Sequence, residues 1–304
     1  HYSMSISRQN LSIVIVTLRS ESVIDQCIDS INEDLPIIII ENSNNSTFTK
    51  YLENKYKNVK CLLSRQNIGM GSGNNLGIKE SKTDYVLVIN PDVILAPNTI
   101  KELILASENI SDFAILSPMS SNNNYPNYEL DERQKKNENK DLPFNVKVVD
   151  GYAMLFNKKK INSIIFDNSL KKQNSFFDEN FFMYLENNDL CKRLTEKGEK
   201  IFVAPKAKIN HLGAKTVDQK YDTEIELSRN WHWIWSKFYF KKKHFGFLTA
   251  FIEGFPNFIG SMFKYIFYFL LNNKFKKDIS FNRASGFFNA LIGKSSWYRP
   301  NLDD

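Results

Sequence analysis

The segment LSIVIVT, Leu11–Thr17, decides the fold: a short run dominated by β-branched side chains suits a strand buried on both faces of a sheet. Ser20 follows as a candidate helix cap, and Val23, Ile24, Cys27, Ile28 and Ile31 then recur at helical spacing. Residues 36–41, PIIIIE, form a second buried run that ends in a carboxylate and a polar turn at 42–47. Val59–Leu63 and Tyr85–Ile89 supply a third and a fourth strand, and between them a Gly/Asn-rich loop at 65–77 runs into a helix. Strands alternating with helices at this spacing predict an α/β fold with a doubly wound, mostly parallel sheet. Ligands in such sheets bind beyond the carboxyl ends of the strands, and Glu41, Asn90 and Asp92 all fall at such ends.

Further along, 97–109 reads as a helix and 113–117 as a strand, while 119–145 is polar and Asn-rich and is expected to be a mobile loop or lid. Strand character resumes over 146–156, a helix is expected at 187–197, and short strands at 200–204 and 206–210. From Tyr221 onward the pattern changes to long aromatic helices, so the expected division is 4–220 and 221–304.

Composition bounds the function. A chain of 304 residues with 42% hydrophobic and 24% charged content packs a core and is not disordered. The net charge of +6 is mild, but eight Lys face only Glu253 and Asp278 between Lys237 and Asp278, in a stretch dense with Phe and Tyr. That composition suits an anionic surface. Nucleic acid is not an expected partner, because no zinc-finger spacing or RNA-binding signature is present. Cys27, Cys61 and Cys191 lack paired spacing and read as buried free thiols of a reducing compartment. Residues 11–16 are a strand rather than the apolar region of a secretory leader, so the expected location is cytoplasmic.

Asn90-Pro91-Asp92 puts a carboxylate just past a strand, where it can hold a hard divalent cation that neutralises a diphosphate; alone, the tripeptide equally suits a plain turn. The four glycines of 69–77 permit close backbone approach to a ligand ahead of a helix, yet match neither a P-loop nor a dinucleotide fingerprint. Glu186 and Asp189 stand beside an aromatic cluster, where desolvation makes a carboxylate a better base; helix capping is the competing use of both. His211 closes a short strand and gains meaning only if the fold brings it beside Asp92.

Taken in order, LSIVIVT (11–17), IIIIENSN (37–44), NIGMGSGNNLGI (67–78), VLVINPDV (86–93), VDGYAMLFNK (149–158), FFDENFFMYLENNDLCKRL (176–194), VAPKAKINHLG (203–213) and GFFNALIGKSSWYRP (286–300) resemble glycosyltransferase family 2, in particular its bacterial rhamnosyltransferase-like branch. The resemblance spans nearly all of residues 11–300 and implies a GT-A fold over 4–220. It further implies an inverting transfer from a nucleotide diphosphate sugar, dTDP-L-rhamnose first and a UDP-sugar next, to a saccharide acceptor in surface polysaccharide synthesis. By the same resemblance Thr17 and Glu41 line the nucleoside pocket, Asn90 faces the ribose or diphosphate, and Asp92 binds Mg²⁺ or Mn²⁺ with His211 completing the metal site. Asn67, Gly69 and a turn at Gly73, Asn74 and Asn75 border the donor. The family's Glu-Asp pair falls on Glu186-Asn187, which leaves Glu186 as the base and Asp189 as its alternative.

The helices at 230–240 and 247–271 are too interrupted by Glu253, Pro256 and Lys264 to span a bilayer. They suit a helix lying on the inner face of the cytoplasmic membrane, near a lipid-linked acceptor, with a homodimer or an internal packing face as the competing use. Two other functions remain open on sequence: a nucleotidyltransferase, although residues 17–20 lack its glycine-rich loop, and a degenerate relative that only binds.

Overall fold

The first strand, β1 (Leu11–Thr17), is buried at every position, and its side chains alternate between two cores. Leu11, Ile13 and Ile15 enter one, Val14 and Val16 the other, as the two-residue period of a strand requires. The computed structural model describes residues 5–131, 133, 141–165, 176–213, 217 and 219–302. The chain divides into two compact units, His1–Asp178 with Asn187–Thr216, and Glu179–Glu186 with Val217–Asp304. The second unit thus takes the segment 179–186 from the middle of the chain, which a division at 220/221 does not capture.

In the first unit β1 is followed by α1 (Ile24–Ile31), β2 (Ile37–Glu41), α2 (Ser46–Lys55), β3 (Val59–Leu63), α3 (Met70–Glu80), β4 (Tyr85–Ile89), β5 (Val93–Leu95), α4 (Thr99–Glu108) and β6 (Ile115–Ser120). Then come β7 (Tyr128–Glu129), β8 (Phe144–Asn145), β9 (Val148–Val149), β10 (Ala153–Asn157), α5 (Lys158–Ile165), α6 (Glu186–Glu196) and β11 (Ile201–His211). Among the described residues one sheet runs β3-β2-β1-β4-β10-β6-β11-β5, with β8 added on β11, and β7 pairs β9 separately. The half β3-β2-β1-β4 is parallel, as expected for the apolar runs that form it. β10 then enters antiparallel to both β4 and β6, and β5 antiparallel to β11, so the complete sheet is mixed. Helices α1, α2 and α4 cover one face and α3, α5 and α6 the other, which makes a three-layer sandwich.

Several local details differ from the sequence reading. Ser20 does not cap α1 with its side chain: its hydroxyl accepts from the Leu18 amide, while its carbonyl accepts from Val23 and Ile24. The strands expected at 200–204 and 206–210 are one, β11, whose pairing with β6 shifts register between Ala204 and Lys208 around Pro205, which cannot donate to the ladder. The expected loop at 119–145 carries β7 and β8; residues 132 and 134–140 lie outside the described residues. Cys27 and Cys191 are buried free thiols, and Cys61 is only half-buried.

The second unit is built from α7 (Asp222–Phe245), α8 (Phe247–Leu270) and α9 (Lys274–Leu291) around Trp231, Trp235, Phe238 and Phe287. Gly286 is needed here, because a Cβ at that position would strike the Trp231 carbonyl and hold α9 away from α7. The segment 179–186 is stitched onto these helices: Ser236 donates to the Met183 carbonyl at 2.7 Å and Ser296 to that of Asn180 at 2.7 Å. Arg299 lies 3.7 Å above the buried ring of Phe182, which also packs on His232. Among the described residues no helix is long and apolar enough to cross a membrane.

Candidate active site

The carboxyl ends of β1, β2 and β4 carry buried polar groups that the fold leaves without hydrogen-bond partners. Among the described residues these include Thr17 Oγ1, Asn42 Oδ1 and Asp92 Oδ1, and Asn74 Oδ1 on α3 is likewise without a partner. Buried polar atoms are almost always paired, so three orphans at the carboxyl ends of one sheet mark a place where a polar ligand belongs. Thr17 and Glu41 are register partners on β1 and β2. The Glu41 carboxylate is already engaged, accepting the Ser43 amide at 2.9 Å and the Asn45 amide at 2.6 Å, so it shapes the turn after β2. Asn42, next to it, donates to the Gly69 carbonyl at 3.1 Å.

Gly69, with φ of +88°, starts α3, and its amide donates to Asn67 Oδ1 at 3.2 Å. Gly73, Asn74 and Asn75 do not form a turn: they lie inside α3. The reason is packing, since a Cβ on Gly73 would sit 2.9 Å from both Val16 methyls and one on Gly77 would overlap Val14. The glycines therefore bring α3 against β1. Asn75 exchanges two 2.9 Å hydrogen bonds with the Phe177 backbone and ties α3 to 176–178.

Asp92 is 3% exposed, and its Oδ2 lies 3.1 Å from Nε2 of His211. Antiparallel pairing of β5 and β11 sets Val93 opposite His211, and the Leu212 amide donates to the Asp92 carbonyl at 3.1 Å. The His211 ring stacks on Tyr152 with centroids 4.0 Å apart. Burial first, and then the charge of Asp150, push the Tyr152 phenol up to about 12, which keeps it neutral. The Asn90 amide donates to the Tyr152 carbonyl at 3.0 Å, so the turn at 90–93 is anchored to the same residue. Asn42 and Tyr152 escaped sequence reasoning, although Asn42 directly follows Glu41 in the strand-end turn and Tyr152 stands within VDGYAM.

No group of three or more His, Cys, Asp or Glu is arranged to hold a metal among the described residues. A divalent cation is compatible with Asp92 and His211 on other grounds: the buried Asp92 Oδ1 lacks a partner, and carboxylate with imidazole suits a cation that takes its remaining ligands from phosphate and water.

The two carboxylates offered as base have different surroundings. Asp189 is fully buried and ion-paired with Arg193 at 2.8 Å, and Arg193 also donates to the Phe176 carbonyl at 2.6 Å. It braces α6 through the pair with Arg193 one turn on. Glu186 opens α6, with its Oε2 shielded from solvent and without a hydrogen-bond partner among the described residues. Burial pushes its carboxyl up to about 7. The two residues before it, Tyr184 and Leu185, hold left-handed φ of +70° and +66°, unfavourable for side chains of their size. Asn187 donates to the Val149 carbonyl at 2.9 Å, a bond that an ionised Asp cannot make.

Comparison with known proteins gives the family and the fold. Residues 12–165 match the model of glycosyl transferase family 2. A curated relative, the low-salt glycan biosynthesis hexosyltransferase Agl10 of Haloferax volcanii, is 28% identical over 200 residues, 60% of this chain and 61% of that protein, so the chain spans about three fifths of its relative's length. Among solved structures, GalNAc-T7 with UDP, GalNAc and Mn²⁺ superposes with a TM-score of 0.55 at 12% identity, covering 78% of this chain and 52% of that one. The mannosyltransferase PcManGT of Pyrobaculum calidifontis, with GDP-Man and Mn²⁺, gives 0.54 at 8% identity, covering 94% and 88%. These two likenesses show the fold, which is the GT-A fold. With a matched model that spans half of the chain and holds the orphaned sheet edge within it, this protein belongs to glycosyl transferase family 2.

Proposed function

We propose that the chain transfers a sugar from a nucleoside diphosphate sugar to a saccharide acceptor with inversion at the anomeric carbon, in surface polysaccharide synthesis. The observation that carries this reading is the meeting of Asp92 and His211 beyond strand ends where the Thr17 hydroxyl and the Asn42 side-chain carbonyl oxygen are left without partners. Asp92 and His211 would hold a divalent cation, Mg²⁺ or Mn²⁺, which supplies charge stabilisation to the leaving diphosphate. Thr17 offers a hydroxyl, and Asn42 and Asn74 offer side-chain carbonyls, to donor groups of the nucleoside and sugar, with Asn67, Gly69 and Asn90 at the border. Glu41 acts indirectly, by fixing the turn that carries Asn42.

Glu186 serves as general base. Its carboxylate takes the proton of an acceptor hydroxyl, that oxygen bonds to the anomeric carbon, and the carbon–oxygen bond to the diphosphate breaks with its electron pair leaving on the nucleoside diphosphate. A single displacement inverts the centre. Asn187, which stands where the family's pattern has an acid, contributes a backbone-anchoring amide instead. The donor we favour is dTDP-L-rhamnose, with a UDP-sugar second; the preference rests on the sequence resemblance to rhamnosyltransferases. A thermal-shift screen of dTDP-, UDP- and GDP-sugars with and without Mn²⁺ tests the reading. Stabilisation that requires both metal and one nucleotide supports it, and stabilisation by none of them overturns it.

The second unit belongs, on this reading, against the inner face of the cytoplasmic membrane, where a lipid-linked acceptor is presented. Leu248, Ile252, Phe263, Phe267 and Leu270 are strongly exposed along α8, far more apolar surface than a free helix face ordinarily shows. Lys241, Lys242 and Lys243 precede them and Lys274, Lys276 and Lys277 follow, which is the charge pattern that anionic headgroups complement.

A further inference from the structure

The second unit contains a cleft of about 270 Å³ lined by Tyr184, Glu226, Arg229, Asn230 and Trp233. Its walls are aromatic: Trp233 is 38% exposed, and Tyr184 meets it edge-on with centroids 5.4 Å apart. Its rim is polar and fixed. Arg229 pairs with Glu226 at 2.7 Å, one turn apart on α7, and Asn230 donates to the Glu226 carbonyl at 2.9 Å while accepting from Arg283 at 3.0 Å. The volume is below the roughly 300 Å³ at which sites for drug-sized ligands begin, and so fits a ligand of about one ring. Flat apolar faces beside a carboxylate, a guanidinium and an amide match the chemistry of a pyranose, which has an apolar C–H face and an equator of hydroxyls.

Position adds to composition. Tyr184 stands two residues before Glu186, and burial first, then the charges of Arg229, Glu226 and Glu186, act on its phenol, with the net effect of raising it. The left-handed backbone at Tyr184 and Leu185 lies between the cleft wall and the base. Such strain persists only where the surroundings enforce it, and here Ser236 and Ser296 clamp the segment at Met183 and Asn180.

We infer that this cleft seats the terminal sugar ring of the acceptor, with Trp233 against its face, Tyr184 at its edge and Arg229 and Glu226 at its hydroxyls. The inference rests on the transferase reading for the word acceptor, while the binding of a sugar ring there stands on the cleft alone. The test is saturation-transfer NMR on the full chain with a panel of methyl glycosides: methyl α-L-rhamnoside, β-D-glucoside, β-D-galactoside and N-acetyl-β-D-glucosaminide. At least one should give signal with the wild type, reduced at least tenfold in both Trp233→Ala and Arg229→Gln. Circular dichroism establishes that each variant is folded, and should one of them not fold, the other decides. Absence of signal from every glycoside with the wild type, or signal retained in a folded variant, overturns the inference. Metal-dependent stabilisation by a nucleotide sugar is read separately on the wild type, so failure of the donor reading and failure of the cleft give different patterns.

Discussion

The Asp92 carboxylate lies 3.1 Å from Nε2 of His211, at the edge where the antiparallel pair β5–β11 closes the sheet. One oxygen of Asp92 is spent on that contact and the other has no partner among the described residues. A fold that buries a carboxylate oxygen without a donor accepts a cost of about 1–3 kcal/mol or more, which a ligand can remove.

Loss of either side chain should therefore weaken metal binding rather than folding. Asp92→Ala should abolish detectable Mn²⁺ binding in the presence of a nucleoside diphosphate, and His211→Ala should weaken it by about 10- to 100-fold or more, the range seen even for groups outside the direct ligands. Isothermal titration of Mn²⁺ in the presence of UDP or dTDP checks both.

Glu186→Gln should lower turnover by roughly 10²- to 10⁴-fold, the usual contribution of a general base, while nucleotide binding persists. In the wild type, turnover should rise with pH through an inflection near 7, because the carboxyl pushed up to about 7 must lose its proton to act. The same shift bears on stability. The folded protein keeps this proton up to about 7, whereas the unfolded chain releases it near the ordinary value of 4.5. The folded state thus binds the extra proton between those values, and this group's contribution is greatest below 4.5 and declines as pH rises toward 7. Glu186→Gln, which carries no charge to bury, should raise the melting temperature more at pH 8 than at pH 5, as calorimetry would show.

Asp189 makes the opposite prediction. Asp189→Asn leaves Arg193 in a buried site without its counter-charge, which costs about 3–5 kcal/mol of stability. Turnover per folded molecule should change little beside the collapse at Glu186, so urea titration paired with single-turnover rates separates the brace from the base.

Gly77→Ala should destabilise the fold by about 1–3 kcal/mol, because the added methyl meets Val14 on a strand that cannot retreat. Gly73→Ala meets both Val16 methyls and should cost a similar amount, and it should also weaken nucleotide binding by displacing Asn74. Chemical denaturation of the two variants, with nucleotide titrations on each, measures these effects.

Membrane association should depend on charge and on apolar area together. Binding to vesicles with anionic lipid at low salt, weakened by Phe263→Glu and by raised ionic strength, is the expected outcome of a sedimentation assay. A stable dimer in solution with no vesicle binding would assign the α8 surface to a second copy instead.

The parts of this fold legible in the sequence are those buried on both faces. Residues 37–40 and 86–89 are apolar throughout because neither face meets water, so composition alone reveals them. The long helices of the second unit declare themselves by length. What stayed hidden depends on distant partners: β7, β8 and β9 have two residues each, too few for any period. The glycines of 69–77 read as a ligand loop because low helix propensity conceals their packing on Val14 and Val16. At the site, Asp92 and His211 were visible as strand-end residues, but their meeting is a product of β5–β11 pairing. The pairing of Asp189 with Arg193 is a product of the folded helix.

The most direct test is anomalous diffraction from crystals soaked with Mn²⁺ and a nucleoside diphosphate. A manganese peak within coordination distance of Asp92 Oδ1 and His211 Nε2, touching the diphosphate, is the predicted result. Bound nucleotide with manganese elsewhere, or a retained direct contact between Asp92 and His211 with no metal density beside it, would contradict the account.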